Sequence, residues 1–402
     1  MFKAISKLAK TTQNWSLPAL VGRDPRADVR TATPLELLFD LVSVIGIANA
    51  VTGLHHGIAA GDSATSIIQF LMAFFSIWLA WIHYTWFASA FDNSSVLFRI
   101  ATMCIMVGSL IMATGIHQLF KHTSFALVVF GYVIMRLVLS LMWFWAAKDN
   151  PEYRTGALLY GFGIVLTQWY WIGFYLVDAS SQLLIYCLFF VGVILELSVP
   201  AIAERITATP WHAEHIIERY GLLNIIVLGE TFLACAMAIQ ELVDDLQQFV
   251  DLALLAISAL CVVFALWWLY FNKQEHLETL NPGCYHRSII WAYGHYFIFM
   301  AGSAVGAGYA VLVDELAQAQ QNQTINQYAI VLIAVCVATY MFGLWFVRDR
   351  FALHDISQWV LPVFGSLILL TPFMPFSLAL LTLFTLISVP VREYLVKRMR
   401  AA

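Results

Sequence analysis

Twelve long apolar runs, separated by short polar segments, restrict what this chain can fold into more than any other feature. A helix rises about 1.5 Å per residue, so about 20 apolar residues are needed to cross the roughly 30 Å hydrocarbon layer of a membrane. With 61% hydrophobic and 11% charged residues, the 402-residue chain has too few polar side chains to cover a soluble protein of this size. The sequence therefore predicts an all-α polytopic membrane protein with about twelve transmembrane helices, at residues 36–54, 64–89, 97–120, 123–147, 155–176, 181–203, 216–239, 249–271, 288–313, 326–347, 356–370 and 373–391.

The basic residues predict how these helices are oriented. When the runs are threaded in order, 19 of the 21 Lys and Arg residues fall on one side of the membrane. The exceptions are Lys121, on the opposite side, and Arg136, inside the fourth run. Because basic residues concentrate in cytoplasmic segments of membrane proteins, both termini are predicted to be cytoplasmic. The same asymmetry fits a protein that faces anionic lipid of the bilayer, and it gives no sign of a nucleic-acid site.

The second half of the chain repeats landmarks of the first half in the same order. The paired positions are Glu36 and Glu218, Trp81 and Trp267, Arg99 and Arg287, and the Ser-Val-Pro stretches at 198–200 and 388–390. Six spans in each half predict two parallel six-helix repeats related by an axis along the membrane normal. Chance similarity between apolar helices is the alternative. The predicted divisions are a cytoplasmic N-terminal segment at 1–33, a first repeat at 34–205, a cytoplasmic linker at 206–215, a second repeat at 216–392 and a basic cytoplasmic tail at 393–402.

Four ionisable residues fall inside the predicted spans, namely Asp40, Arg136, Glu196 and Glu230. A charge at membrane depth is costly, so such residues usually face the protein interior, a partner or water. Arg136 is the deep cation, and the three carboxylates are its candidate counter-charges. Two interpretations stay open, because Arg136 can serve as a clamp for helix packing or can act in gating or in binding an anionic group.

Glu36 and Asp40 lie one helical turn apart and share a helix face. Two carboxylates so placed repel each other unless they bind a cation or share a proton. His83 and Arg99 lie at compatible depth, so we expect a cluster of these four residues in the first repeat. Its counterpart in the second repeat is expected from Glu218, Arg219, Arg287 and His295. The alternative is that the outermost charged members of both sets anchor helix ends at the lipid headgroups.

No arrangement typical of an enzyme is found. The sequence lacks Gly-x-Ser-x-Gly, His-Glu-x-x-His and phosphate-loop motifs, and its polar segments are too short for a catalytic domain. We therefore expect no enzymatic activity, no cofactor and no metal. His212 and His215 are spaced like metal ligands, but no other feature supports a metal site. The six scattered cysteines predict neither a disulfide framework nor a zinc site.

Several stretches around these charges resemble one known family. Residues 33–42, Thr-Pro-Leu-Glu-Leu-Leu-Phe-Asp-Leu-Val, are similar to the opening signature of the bacterial low-temperature-requirement A (LtrA) family. Residues 218–222, Glu-Arg-Tyr-Gly-Leu, and 225–230, Ile-Ile-Val-Leu-Gly-Glu, with His215 upstream, resemble its second signature. Arg136 and residues 196–200, Glu-Leu-Ser-Val-Pro, also fit the pattern. The resemblance implies a multi-pass protein of the bacterial inner membrane that is linked by name to growth in the cold, and it implies no particular molecular activity.

Deep charges within a six-plus-six array predict a secondary transporter, or a channel-like protein, for a small ion or solute. Glu36, Asp40 and Glu230 are expected to bind a cation or proton, and Arg136 to balance them or contact an anionic group. A carrier is favoured over a channel because the acids are few and unevenly placed. The alternative is a non-transporting membrane protein that senses or organises lipid or scaffolds a partner. The sequence carries no signal for an oligomeric state.

Overall fold

The computed structural model describes residues 18–25, 30–93, 95–122, 124–177, 181–240, 246–271, 276, 280, 285–318 and 327–401. These residues form twelve α-helices of 11 to 34 residues, joined by short segments. In chain order they are α1 (Pro34–Ala59), α2 (Ser63–Ala90), α3 (Val96–His122), α4 (Ala126–Asp149), α5 (Arg154–Leu176), α6 (Gln182–Ile206), α7 (Ala213–Gln240), α8 (Leu246–Tyr270), α9 (Tyr285–Gln318), α10 (Gln327–Leu344), α11 (Val360–Leu370) and α12 (Ser377–Ala401).

The prediction of an all-α polytopic membrane protein is confirmed. In the described part of the chain, eleven helical segments are long and apolar enough to cross a membrane, and no strand occurs. The remaining long helix, α7, has 28 residues, among which are the charged Glu214, Glu218, Arg219 and Glu230. The eleventh span is short as a regular helix, and 3-10 turns at both ends extend it to 19 residues, Asp355–Phe373.

The two halves of the chain place their helices next to one another in the same order. In the first half α1 packs on α2 and α3, and α3, α4, α5 and α6 follow as successive neighbours. In the second half α7 packs on α8 and α9, and α9, α10, α11 and α12 follow in the same way. This is the order expected of a six-helix repeat. The repeat and the cytoplasmic position of the termini stay predictions.

Helices α1 and α2 meet α7 and α9 where the halves join. Of the spans, α2 and α9 are the most deeply buried. We call the side at which α1 begins the basic side, because most Lys and Arg residues were assigned there. At the opposite end of α1, His55 Nε2 lies 2.7 Å from Asp314 Oδ2 of α9. The contacts between the halves therefore run along most of the length of α1.

The described residues that precede α1, 18–25 and 30–33, contact the basic-side ends of α2 and α4. The backbone N–H of Leu20 donates to Asp149 Oδ2 at 2.9 Å. The guanidinium of Arg30 donates to the carbonyl oxygens of Ala88 and Ser89, which end α2. Burial among these groups lowers the pKa of Arg30 from its ordinary value. These contacts fix the position from which α1 starts.

A capping box then begins α1 and orients Glu36. The Thr33 backbone N–H and hydroxyl both donate to Glu36 Oε2 at 2.8 Å, and the Glu36 backbone N–H donates to Thr33 Oγ1 at 3.3 Å. Such reciprocal bonds satisfy backbone donors that a helix start leaves unpaired. They occupy one carboxylate oxygen of Glu36, so its Oε1 is left for contacts with other helices.

Candidate functional site

A buried ion pair joins α4 to α6 within the first half. Arg136 Nη2 donates to Glu196 Oε2 at 2.6 Å, and both side chains are at most 1% exposed. Two side chains of α5 donate to the other oxygen, Glu196 Oε1: Trp171 Nε1 at 3.0 Å and Gln168 Nε2 at 3.3 Å. A buried charge is tolerated when an opposite charge and further hydrogen bonds compensate for its lost hydration. Glu196 meets both conditions.

His83 of α2 contacts Arg136 on another side of the guanidinium. Its Nδ1 lies against Arg136 Nη1. Because a guanidinium has donors and no acceptor, Nδ1 must accept, and the ring is then neutral with its proton on Nε2. His83 is only 7% exposed, and Nε2 has no hydrogen-bond partner among the described residues. We call Arg136, Glu196, Gln168, Trp171 and His83 the ion-pair level. It includes a buried donor, His83 Nε2, that no described residue accepts from.

A cavity of about 70 Å³ lies on the basic side of this ion pair and is lined in part by His83. Its walls come from α2, α4, α5, α6, the segment after α6, and α9. They include five aromatic side chains, Trp86, Trp143, Tyr160, Trp211 and Tyr293, and the carboxylate Glu204. One water needs roughly 15 Å³ of such space, so the basic-side cavity has room for about five.

A smaller cavity of about 20 Å³ lies on the opposite side of the ion pair. Its lining is almost wholly aromatic and aliphatic and includes Tyr132, Trp171 and Phe189. The ring of Tyr132 lies 5.8 Å from Arg136 Cζ, and Trp171 is the residue that donates to Glu196. Each of the two cavities is therefore lined by a residue that contacts the ion pair: Tyr132 and Trp171 in the opposite-side cavity and His83 in the basic-side cavity.

Three helices contribute to the opposite-side cavity, to the ion-pair level and to the basic-side cavity in turn. These residues are Tyr132, Arg136 and Trp143 on α4, Trp171, Gln168 and Tyr160 on α5, and Phe189, Glu196 and Glu204 on α6. Steps of three, four, seven or eight residues keep side chains on one face of a helix. The Arg136–Glu196 pair thus lies between two cavities that share the same helix faces.

A second buried cluster joins α1 to α7. Arg219 Nε and Nη2 donate to Asp40 Oδ2 and Oδ1 at 3.1 and 2.5 Å, and Nη1 lies 2.9 Å from Glu36 Oε1. Trp81 Nε1 also donates to Asp40 Oδ1 at 2.7 Å, and His215 Nε2 lies 3.1 Å from Glu36 Oε1. We call these five residues the Arg219 cluster. The cation required by two carboxylates one turn apart is therefore supplied by the protein itself.

Both clusters lie in a region that matches a known family. The family described as "Bacterial low temperature requirement A protein (LtrA)" matches residues 31–396, from just before α1 to the last turns of α12. The chain belongs to the LtrA family. This LtrA protein is also 26% identical, over 399 residues, to the "Uncharacterized protein RA0937" of Rhizobium meliloti (strain 1021). That similarity covers 92% of this chain and 91% of the relative, whereas no solved structure matches the chain.

The cluster expected from Glu36, Asp40, His83 and Arg99 is not formed in this LtrA protein. Glu36 and Asp40 face Arg219 of the second half, while His83 contacts Arg136. Arg99, at the start of α3, is exposed. The expectation rested on equal depth in the membrane, and equal depth does not decide which helix faces are neighbours.

The counterpart expected in the second half is not formed either. Arg219 pairs with Glu36 and Asp40 of α1, and Glu218, its neighbour in sequence, is exposed. Arg287 is exposed near the start of α9. His295 is fully buried, with Nδ1 2.6 Å from the carbonyl oxygen of Trp291. These four residues therefore occupy separate environments.

Glu230 lies deep in α7 and is 7% exposed. Within the described residues Glu230 forms no hydrogen bond or ion pair. Of the three candidate counter-charges of Arg136, Glu196 is the one that pairs with it, while Asp40 pairs with Arg219. Helix α9 approaches closely at this level, because a Cβ on Gly306 would lie 3.1 Å from the backbone of Thr231. Glu230 is thus placed at the tight contact between α7 and α9.

Sequence reasoning missed the α5 residues Gln168 and Trp171, which complete the ion-pair level. A tryptophan near the end of a span is typical of an interfacial belt, so the sequence gives no reason to expect Trp171 at a buried carboxylate. It also missed Glu204, which accepts hydrogen bonds from Tyr160 Oη at 3.0 Å and Thr209 Oγ1 at 2.6 Å. Among the described residues, no three His, Cys, Asp or Glu side chains are grouped as metal ligands.

A third buried cluster, in the second half, was also missed. Arg392 Nε and Nη2 of α12 donate to Asp349 Oδ2 and Oδ1 at 2.9 and 2.8 Å, and Arg348 Nε donates to Oδ1 at 2.8 Å. All three side chains are at most 2% exposed. The sequence assigned both arginines to basic-side segments. Their signal is the adjacent Arg348-Asp349 pair, which lies in a π-helical turn (Trp345–Asp349) that continues α10.

Proposed function

We propose that this LtrA protein is a secondary transporter for a small ion or solute in the bacterial inner membrane, with its termini in the cytoplasm. The observation that carries the proposal is a pair of cavities on opposite sides of one buried ion pair, Arg136–Glu196. Polar and charged groups inside a membrane protein typically mark such paths. The proposed route runs through α2, α4, α5 and α6, and it bypasses the Arg219 cluster.

The ion pair provides the barrier in this proposal. Arg136 and Glu196 neutralise each other, so neither is free to hold a permanent counter-ion. No ring of carbonyls or like charges lines the two cavities among the described residues, and a channel would require one. A carrier instead needs an occluding contact that opens to one side at a time, and a paired charge level between two cavities supports that role.

Pro200 supplies a point at which α6 can bend. It lies inside α6, between Glu196 at the barrier and Glu204 at the basic-side cavity. Proline has no backbone N–H, so the helical hydrogen bond to the carbonyl of residue 196 is missing there. Movement of the part of α6 that follows Pro200, which carries Glu204, would change the basic-side cavity without breaking the rest of the helix. The proposal requires no reaction chemistry, and we propose that the protein is not an enzyme.

The test is uptake into vesicles that contain the purified protein, with a panel of protons, alkali cations, amino acids and organic cations. Wild-type protein is expected to give flux above empty vesicles for at least one member. The double variant Arg136→Met/Glu196→Leu removes both charges together, so it is expected to fold but to lose regulated flux. Glu218→Gln, at an exposed carboxylate of α7, is the control and should behave like wild type. Flux equal to that of empty vesicles across the whole panel would remove the transport proposal.

A second candidate function is the binding or organisation of lipid, without transport, in growth at low temperature. It is favoured by a surface groove of about 500 Å³ between α8 and α12, which includes Trp268, Tyr394 and the exposed Lys397. Aromatic walls with a lysine at one end suit an acyl chain and an anionic headgroup. In this case anionic lipid would remain bound to the purified protein and be reduced by Lys397→Gln, with no flux of any solute.

A further inference from the structure

The basic-side cavity has one acidic side chain in its described wall. This is Glu204, whose carboxyl group accepts hydrogen bonds from Tyr160 and Thr209. His83 is neutral, because its Nδ1 accepts from Arg136. The charge of Arg136 is itself balanced by Glu196 at 2.6 Å. A ligand that enters the cavity therefore meets one carboxyl group that has no cationic partner among the described residues, and no uncompensated cation.

Five aromatic rings contribute to the remaining wall. Trp143 and Tyr160 stack with centroids 4.0 Å apart and an angle of 4° between their planes. Trp86 and Trp211 make an edge-on pair at 5.0 Å. The faces of such rings carry partial negative charge and attract cations, with Trp the strongest. The aromatic rings and the carboxyl group of Glu204 thus both favour a cationic ligand.

The third feature is the buried donor of His83. Its Nε2 has no hydrogen-bond partner among the described residues, and His83 lines the cavity. Because Nδ1 and Nε2 are on different edges of the imidazole ring, a ring that turns Nδ1 to Arg136 turns Nε2 away from it. A buried donor without a partner is costly, so an acceptor on a ligand would relieve that cost once a small shift of the ring opens Nε2 to the cavity.

We propose that the basic-side cavity binds a small organic ammonium compound that also carries a hydrogen-bond acceptor. Its ammonium group lies among Trp143, Tyr160 and Trp86 with Glu204 as counter-charge, and its acceptor meets Nε2 of His83. The room for about five waters fits a compound of roughly five to seven non-hydrogen atoms. As a statement about the transported substrate the inference rests on the proposed function, but as a statement about binding it stands alone.

Choline and its uncharged carbon analogue, 3,3-dimethylbutan-1-ol, test the charge requirement on the wild-type full-length protein. The two have nearly the same shape, and both carry a hydroxyl. Quenching of tryptophan fluorescence in detergent is expected to give a Kd for choline at least about tenfold lower, which corresponds to about 1.4 kcal/mol. Equal affinity for both compounds, or no binding of either, overturns the proposal.

Two further comparisons test the residues. Glu204→Gln is expected to weaken choline binding by about tenfold or more, whereas Glu218→Gln, outside the cavity, leaves it unchanged. Tetramethylammonium lacks an acceptor for His83, so it should bind wild type several-fold more weakly than choline. If Glu204→Gln binds choline as tightly as wild type, the assignment of the counter-charge is wrong and the proposal falls.

Flux measurements separate this inference from the transport proposal. Choline that binds as expected but never crosses the vesicle membrane leaves the ammonium site in place and removes its role as a substrate site. Flux of another solute, with no choline binding, overturns the ammonium site and leaves the transport proposal standing.

Discussion

Removing the charges of Arg219 and Asp40, singly and together, measures how strongly the Arg219 cluster holds α1 against α7. The variants are Arg219→Met, Asp40→Leu and their combination. Methionine and leucine keep most of the side-chain volume, so the changes act mainly through charge and hydrogen bonding. Two of the three hydrogen bonds that Asp40 accepts come from Arg219, and the third comes from Trp81.

Arg219→Met leaves two carboxylates one turn apart, both at most 2% exposed, without their cation. A buried charge stranded in this way costs about 3–5 kcal/mol of the free energy of unfolding. Asp40→Leu leaves Arg219 paired with Glu36 and should cost about 1–3 kcal/mol. In the double variant Glu36 still has Thr33 and His215, so we expect a loss of about 2–4 kcal/mol, against about 4–8 kcal/mol for independent effects. The predicted coupling is therefore about 2–4 kcal/mol.

Equilibrium unfolding in mixed micelles with increasing dodecyl sulfate, followed by circular dichroism, gives the free energy of unfolding for each variant. Arg99→Met is the control, since this exposed residue at the start of α3 should change stability by less than about 0.5 kcal/mol. Losses that add up in the double variant to within about 0.5 kcal/mol would refute the reasoning, because they would mean that Arg219 and Asp40 do not depend on each other.

Three other outcomes follow from the described contacts. Asp349→Asn removes the buried carboxylate charge that Arg392 and Arg348 share and should lower the free energy of unfolding by about 3–5 kcal/mol in the same assay. Gly131→Ala would push a methyl group into the backbone of α3 and should cost about 1–3 kcal/mol, whereas Gly173→Ala, with no atom within 4 Å, should cost nothing or stabilise slightly. The pKa of His276, which lies outside the membrane-spanning segments, is well below its ordinary value because of burial and the nearby Arg348 cation. Protons then bind the unfolded state more readily, so stability should fall as the pH drops below about 6.5, by up to about 1.4 kcal/mol per pH unit, and His276→Gln should reduce that slope.

The candidate site could be predicted only in part. The sequence singled out Arg136, Glu196 and His83, since charge or polarity at membrane depth is visible in the chain itself. It left Asp40, Glu196 and Glu230 as candidate partners of Arg136, because the depth of a residue along a helix does not show the direction in which its side chain points. The α5 residues Gln168 and Trp171 had no signal, as neither is ionised. The buried cluster of Arg348 and Arg392 was not foreseen, because both lie near the ends of their spans, where an arginine is usually solvated.

The sequence by itself determined the number, length and order of the helices, because a run of about 20 apolar residues can satisfy its backbone in lipid only as a helix. It also determined which charges lie deep, since depth follows from position along a span. Only the tertiary structure decided which charges meet. Arg136 pairs with Glu196, 60 residues away, and Arg219 with Asp40, 179 residues away. Those choices depend on which helices are neighbours and how each is rotated about its axis, and both are set by packing among side chains from distant parts of the chain.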